Sequence, residues 1–303
     1  MIQSEPPLKA ARDSRVAFVT CAELPDLDPD DRPAYDALVR RGVAVDMVSW
    51  DADVDWAGYD LAVLRSPWDY VPRRADFVAW AATVPRLANP ADVVVWNTDK
   101  RYLRELAAGG VPVVPTTWLE PADTWSPPTT GEYVVKPAVS AGSRDTGRYL
   151  LDDAGHRRLA AAHAARLGAA GRLTMVQPYL SAVDTAGEAA LVFLGGPGGL
   201  TFSHSIRKGA MLTGPDLGGE ELYKEENISA RTATAAELAV AARVLDLVPG
   251  GPDRLLYARV DLIPDADDSP LLVELELTEP SLFFPYADGA AERFADAVAA
   301  RLG

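Results

Sequence analysis

Near the C-terminus, carboxylates alternate with apolar residues along a run that reads as a strand, Leu272-Val273-Glu274-Leu275-Glu276-Leu277. A second run just ahead of it, Arg259-Val260-Asp261-Leu262, has the same period of two, and an acidic, proline-bounded loop separates them. Facing positions in an antiparallel pair sum to a constant. A hairpin centred between Asp267 and Asp268 therefore sets Asp261 opposite Glu274 and Arg259 opposite Glu276, all four on one face. Like charges facing each other on a sheet are unfavourable, so this face asks for a cation. Hard carboxylate oxygens with room for water and phosphate suit Mg²⁺. The alternative is an outer sheet face in contact with water.

The rest of the chain narrows what such a hairpin can serve. At 303 residues, 48% hydrophobic and 24% charged, there is material for two or three globular domains. A formal charge of −15 with no basic stripe argues against a nucleic-acid partner. Cys21 is the single cysteine, so no internal disulfide forms; at the end of the apolar run Val16–Thr20 it reads as a buried strand residue. No apolar stretch approaches the roughly 20 residues of a membrane helix, and the polar opening from Met1 to Ser14 is unlike a signal peptide. A cytoplasmic protein without a membrane partner is expected. Lysine is confined to Lys9, Lys100, Lys136, Lys208 and Lys224, with arginine supplying the other positive charges. A compact ammonium kept in an arginine-rich chain suits phosphate coordination.

Elements follow from period and punctuation. Residues 14–96 alternate strand and helix: strands at Val16–Thr20, Val43–Ser49 and Leu61–Leu64, helices at Pro33–Arg41 and Arg74–Ala82, hence a small parallel α/β domain. All seven tryptophans fall between Trp50 and Trp125. A helix is expected from Asn97 to Gly109, strands at Thr116–Glu120, Tyr133–Val135 and Thr174–Gln177, and a helix over Asp152–Leu167. Beyond Ser181 the pattern is strand (Glu188–Leu194), Gly-rich turn (Gly195–Gly199), strand (Thr201–Ile206), loop (Lys208–Asn227) and helix (Thr234–Leu245), then the hairpin. That is an antiparallel α+β layout. The expected divisions are 1–96, 97–180 and 181–303.

In Val134-Val135-Lys136-Pro137-Ala138-Val139-Ser140-Ala141-Gly142-Ser143 a strand delivers a lysine to a loop of small residues, which lets backbone N–H groups approach phosphate. It lacks the Gly-Lys-Ser/Thr ending of a P-loop, and an ordinary surface turn is the alternative. Gln177-Pro178-Tyr179-Leu180 reads as a proline-stiffened connector, the kind of place where planar ligands sit between lobes. The segment Arg65-Ser66-Pro67-Trp68-Asp69-Tyr70 leaves the C-terminal end of a parallel strand, where open α/β sheets bind ligands. Trp68 and Tyr70 would wall a substrate pocket beside Arg65, and Asp69 would meet an ammonium group; a structural turn at Pro67 is the alternative. Gly195–Gly199 is interrupted by proline and reads as a hairpin turn. His156, His163 and His204 lack metal-ligand spacing, and no Gly-x-Ser-x-Gly elbow is present.

In order and spacing these features resemble the ATP-grasp superfamily. The resemblance spans nearly the whole chain and is clearest at Lys100, Val135-Lys136-Pro137, Gln177–Leu180 and the Arg259–Glu276 hairpin. D-alanine–D-alanine ligases and glutathione synthetases are similar in having Arg-x-Asp followed thirteen positions on by Glu-x-Asn. Asp261 and Glu274 keep that interval, but Glu276 stands where those enzymes have Asn. The resemblance implies an α/β plus α+β chain: an ATP-grasp fold behind an N-terminal parallel pre-ATP-grasp domain. It implies that Lys100 and Lys136 hold the α- and β-phosphates and that Ser140, Gly142 and Ser143 lie in a lid over the β,γ-phosphates. Backbone at Gln177, Tyr179 and Leu180 would meet adenine, Glu188 the ribose, and Lys208 the γ-phosphate. Asp261, Glu274 and Glu276 would hold two Mg²⁺, with Arg259 the catalytic oxyanion donor.

Further likeness at Arg65–Tyr70, Trp96–Lys100, Ser203-His204-Ser205 and Glu276–Leu282 resembles an actinobacterial small-molecule branch that includes D-cycloserine-forming cyclo-ligases, and places His204 toward the site. The implied activity is an ADP-forming ligase that turns a small amino-acid-like carboxylate into an acyl phosphate for attack by nitrogen, as in closure of O-ureido-D-serine to D-cycloserine. Intermolecular amide ligation and a non-catalytic ATP-binding regulatory module are the alternatives, and a homo-oligomer stays open.

Overall fold

The computed structural model describes residues 14–196, 198–216 and 227–302; Lys9, Lys224, Pro197 and the middle of the loop read over Lys208–Asn227 lie outside the described residues. Its strands are β1 (Arg15–Thr20), β2 (Ala44–Ser49), β3 (Leu61–Leu64), β4 (Leu87–Ala88), β5 (Thr117–Leu119), β6 (Glu132–Pro137), β7 (Gly147–Leu150), β8 (Thr174–Pro178), β9 (Glu188–Gly196), β10 (Gly199–Lys208), β11 (Ile228–Arg231), β12 (Tyr257–Pro264) and β13 (Pro270–Glu276). The helices are α1 (Arg32–Arg40), α2 (Arg74–Ala81), α3 (Ala91–Asn97), α4 (Tyr102–Ala108), α5 (Ala154–Ala169), α6 (Val183–Ala186), α7 (Ala235–Asp246) and α8 (Ala290–Ala299).

These strands form a parallel sheet, β2-β1-β3-β4, and two antiparallel sheets, β5-β8-β6-β7 and β11-β10-β9-β12-β13. The unbroken apolar run of β1 suits a strand covered on both faces. Val16 and Phe18 pack toward α1 and α8, while Ala17 and Val19 pack toward α2 and the aromatic group of Trp50, Phe77 and Trp80. The core of this first sheet is not built from neighbouring sequence alone: Phe294 of α8 and Tyr257 of β12 complete it. α5 covers the second sheet and α7 the third. α7 starts at a capping box in which Thr234 and Glu237 satisfy each other's backbone N–H.

Several elements escaped the sequence reading. The run Val93-Val94-Val95 favours a strand by composition, yet it is helical in α3, where Pro90 stands at the N-cap and Val93 and Val94 are buried. A turn at 98–101 separates α3 from α4, so the expected helix from Asn97 begins only at Tyr102. β7, β11 and α8 were not anticipated. Asp31 occupies the N-cap of α1 but makes no capping bond, because its carboxylate faces Arg65. Among the described residues no helix is long and apolar enough to cross a membrane.

Candidate active site

The hairpin β12–β13 pairs Arg259 with Glu276 and Asp261 with Glu274, as the alternating pattern required. The loop is centred half a residue from the expected point: Leu262 faces Leu272 and Pro264 faces Pro270, and a bulge beside Asp261 restores the register. β13 is an edge strand, and edge strands carry unpaired backbone groups. Side chains meet them here. Asn97 donates to Leu275 O (2.7 Å) and accepts from Leu277 N (2.8 Å), and the Tyr102 hydroxyl serves Leu275 O and N at 3.0 Å each. The strand presenting Glu274 and Glu276 is thereby fixed to α3 and α4.

On the charged face, Asp261 accepts from Arg259 Nη2 (2.8 Å) and from Lys208 Nζ (2.7 Å). Arg259 also reaches Glu276 and Ser281 O (3.0 Å), and Lys208 also pairs with Glu188. Gly187 (φ 76°) makes the tight turn before Glu188; a Cβ there would lie 2.5 Å from Lys208 O. Lys100 joins Glu274 (3.0 Å) to Ser140 O (2.8 Å). The loop after β6 runs through positive φ at Gly142, Ser143 and Asp145, and Asp145 is gripped by Arg166 and Arg172.

Crowding of like charge shows in the acidities. Burial, with Asp261 and Glu274 adding repulsion, pushes Glu276 up to about 8. Burial and Asp261 raise Glu188 to about 7, and burial, helped by Glu274, raises Glu279 to about 7. Burial opposes the ionised forms of Asp261 and Glu274 too, but Arg259 and Lys208 hold the first, and Lys100 and Lys136 the second, below the usual carboxylate range. Burial lowers Lys136, with Lys100 and Lys208 working in the same direction.

These groups surround a cleft that is partly open to solvent. Lys100, Lys136, Ser140, Gly142, Ser143, Gln177, Tyr179, Leu180, Glu188, Lys208, Arg259, Glu274 and Glu276 all line it, so most of the sequence candidates converge. The structure qualifies four expectations. Asp261 is 1% exposed and stands behind the cleft wall, because Arg259 and Lys208 occupy its oxygens. The Tyr179 N–H is spent on Glu132 O (2.8 Å), so it is not available to adenine. His204 does not line the cleft; its Nε2–H donates to Leu282 O (2.8 Å), and burial holds its pKa down to about 4, so the ring is neutral.

The fourth is the substrate segment. Arg65, Trp68, Asp69 and Tyr70 lie outside the cleft wall. Arg65 is sealed against Asp31 (2.7 Å) and Pro280 O (3.1 Å), and Asp69 binds Trp50 Nε1 (2.7 Å) and Arg73 (2.6 Å). Trp68 Nε1 donates to Glu279 O (3.1 Å), and Tyr70 O–H to Glu279 Oε1 (2.8 Å). Arg65, Trp68 and Tyr70 secure the segment after β13, and it is Glu279 that reaches the cleft. A carboxylate three residues beyond the alternating acidic strand was the missed signal.

The family model described as D-cycloserine synthetase DcsG, N-terminal domain, matches residues 16–89. Cycloserine biosynthesis protein DcsG of Streptomyces lavendulae is 39% identical, covering 95% of this chain and 98% of that protein. The chain belongs to the D-cycloserine synthetase family of ATP-grasp ligases. The crystal structure of D-cycloserine synthetase DcsG superposes with a TM-score of 0.83 at 37% identity, over 96% of this chain and 100% of that one. A RimK domain ATP-grasp protein from Sphaerobacter thermophilus has the same fold (TM-score 0.62, 17% identity, 94% and 98% covered). The protein is therefore an ATP-dependent enzyme that forms C–N bonds.

Proposed function

We propose that the cleft binds ATP with its phosphates against Lys100, Lys136 and Lys208, activates a small amino-acid carboxylate as an acyl phosphate, and closes it on the substrate's own nitrogen. The carrying observation is convergence: three lysines and Arg259 reach one cleft from three strands and a loop, opposite Glu274 and Glu276. Five carboxylates (Glu188, Asp261, Glu274, Glu276 and Glu279) stand among four cations there, and crowding keeps protons on Glu188, Glu276 and Glu279 near neutral pH before any phosphate enters. Phosphate would draw on the same cations and leave the carboxylates with still less compensation.

An all-oxygen donor set of this kind fits Mg²⁺ by chemistry. Among the described residues it is not drawn together as a ready cage, because each acid but Glu279 holds a lysine or arginine. Glu274 and Glu276, with Asp261 behind them, would hold two ions, whose role is to neutralise the transferring phosphoryl group.

The chain's own groups do the rest. Arg259, fixed by Asp261, Glu276 and Ser281 O, is a preorganised donor for negative charge on the phosphoryl group and on the tetrahedral carbon. The lysines neutralise phosphate, and the 140–143 loop supplies N–H groups over it. Attack of the substrate carboxylate releases ADP; attack of nitrogen then expels phosphate and loses its proton. The specific reading, supported by the relatives' names, is closure of O-ureido-D-serine, with water then removing the carbamoyl group as CO₂ and ammonia to leave D-cycloserine. An ADP-release screen with Mg²⁺ over single amino-acid derivatives and pairs, with product mass, tests it. ADP release only with pairs would move the reading to intermolecular ligation.

A further inference from the structure

We propose that Glu279 recognises the substrate as a zwitterion: its carboxylate binds the α-ammonium of an amino acid whose carboxylate lies toward Arg259. This rests on the ligase reading above and adds the polarity of the substrate pocket. Glu188, Asp261, Glu274 and Glu276 each meet a lysine or arginine within ion-pair distance. Glu279, among the described residues, is met instead by the neutral phenol of Tyr70, on Oε1 at 2.8 Å. It lines the same cleft. A cation arriving with the substrate would give it the partner that the protein supplies to the others.

The position of this carboxylate is fixed from both sides. Trp68 holds its own carbonyl (3.1 Å), Arg65 holds Pro280 O (3.1 Å), and Arg259 holds Ser281 O (3.0 Å). Asp30 accepts from Leu282 N (3.0 Å) and Phe283 N (2.8 Å), and His204 donates to Leu282 O. Arg259 and Glu279 are thus tied to one short stretch of backbone and offer opposite charges to opposite ends of an amino acid. The pairing also serves the chemistry. An α-amine held as an ammonium has no lone pair, so it cannot compete with the intended nitrogen for the acyl phosphate.

The test compares O-ureido-D-serine with 3-(ureidooxy)propanoate, which lacks only the amino group, in wild type, Glu279→Gln, Glu279→Asp and Tyr70→Phe. In Glu279→Gln the advantage of the ammonium compound in kcat/KM should fall about 10–100-fold, the scale of one charge-assisted hydrogen bond, with the KM for ATP unchanged. Glu279→Asp should keep part of that advantage, and Tyr70→Phe most of it. Calorimetry of both compounds with Mg·ADP reads the same preference without turnover. Loss of the binding preference in Glu279→Gln upholds the assignment even where no ADP is released, an outcome that would sink the ligase reading alone. A wild-type enzyme that turns over O-ureido-D-serine while Glu279→Gln keeps its full preference overturns the assignment and leaves the ligase reading intact.

Discussion

Replacing Asn97 by leucine tests whether side chains, rather than a further strand, hold the edge that carries Glu274 and Glu276. Asn97 is 8% exposed and joins Leu275 O, Leu277 N and the Thr278 hydroxyl. Leucine is similar in size and polar nowhere. The hydroxyl can turn to another acceptor, and Leu275 O keeps the Tyr102 hydroxyl, but Leu277 N is left buried and unpaired. One orphaned buried group costs about 1–3 kcal/mol, so the expected loss is roughly 2 kcal/mol, or about 3 °C in Tm for a chain of this length. Tyr102→Phe should cost a similar amount by orphaning Leu275 N.

The two changes should not add. Leu275 O has two donors, and only the double variant removes both. The pair should exceed the sum of the singles by about 1 kcal/mol, within the range for residues that share a partner. Thermal unfolding of all four proteins followed by tryptophan fluorescence gives the cycle. Additivity within about 0.3 kcal/mol, or an Asn97→Leu loss below about 0.5 kcal/mol, would refute the edge-capping argument.

Glu274→Gln should abolish ADP release while leaving Tm within a few degrees, and unchanged turnover at saturating Mg²⁺ would remove Glu274 from the metal site. Lys136→Met should weaken ATP by about 2 kcal/mol, the worth of one charge-assisted hydrogen bond, read by calorimetry against an unchanged amino-acid KM. Glu188, Glu276 and Glu279 have pKa values raised to about 7, 8 and 7, so near neutral pH the folded protein binds protons that the unfolded chain has lost. Stability should therefore fall as pH climbs from about 5 to 8. For the same reason Mg·ATP binding near pH 7 should release protons, seen as a dependence of the binding heat on buffer ionisation enthalpy; proton uptake would contradict the sign. Arg259→Lys should lower kcat by roughly 10²–10³, the scale of one oxyanion donor, and near-normal turnover would make the arginine architectural.

What the sequence disclosed, and what it hid, follows from the range of each interaction. The hairpin register was legible because alternation fixes faces within a few residues, and the bulge beside Asp261 was hidden because it leaves that alternation intact at the charged end. The lysines were legible as types in settings. Their partners were not, since Lys100–Glu274 and Lys208–Asp261 join residues far apart in the chain. α3 was missed because three valines do not speak for a helix locally, whereas burial of Val93 and Val94 decides for one.

The Arg65–Tyr70 segment is the instructive case. The rule that ligands gather at the C-terminal ends of parallel strands brought attention to the right end of the sheet, but another part of the chain fills that position first. The segment from Glu279 to Phe283 lies across it and takes hydrogen bonds from Arg65, Trp68 and Tyr70. A buried arginine 2% exposed, paired with Asp31 and stacked over Tyr257, is costly to desolvate and is held by its complete set of partners. Such a residue is suited to fixing a backbone and poorly placed to meet a substrate. The parallel sheet therefore contributes to the cleft at one remove: its strand-end residues set the Glu279 carboxylate that lines it.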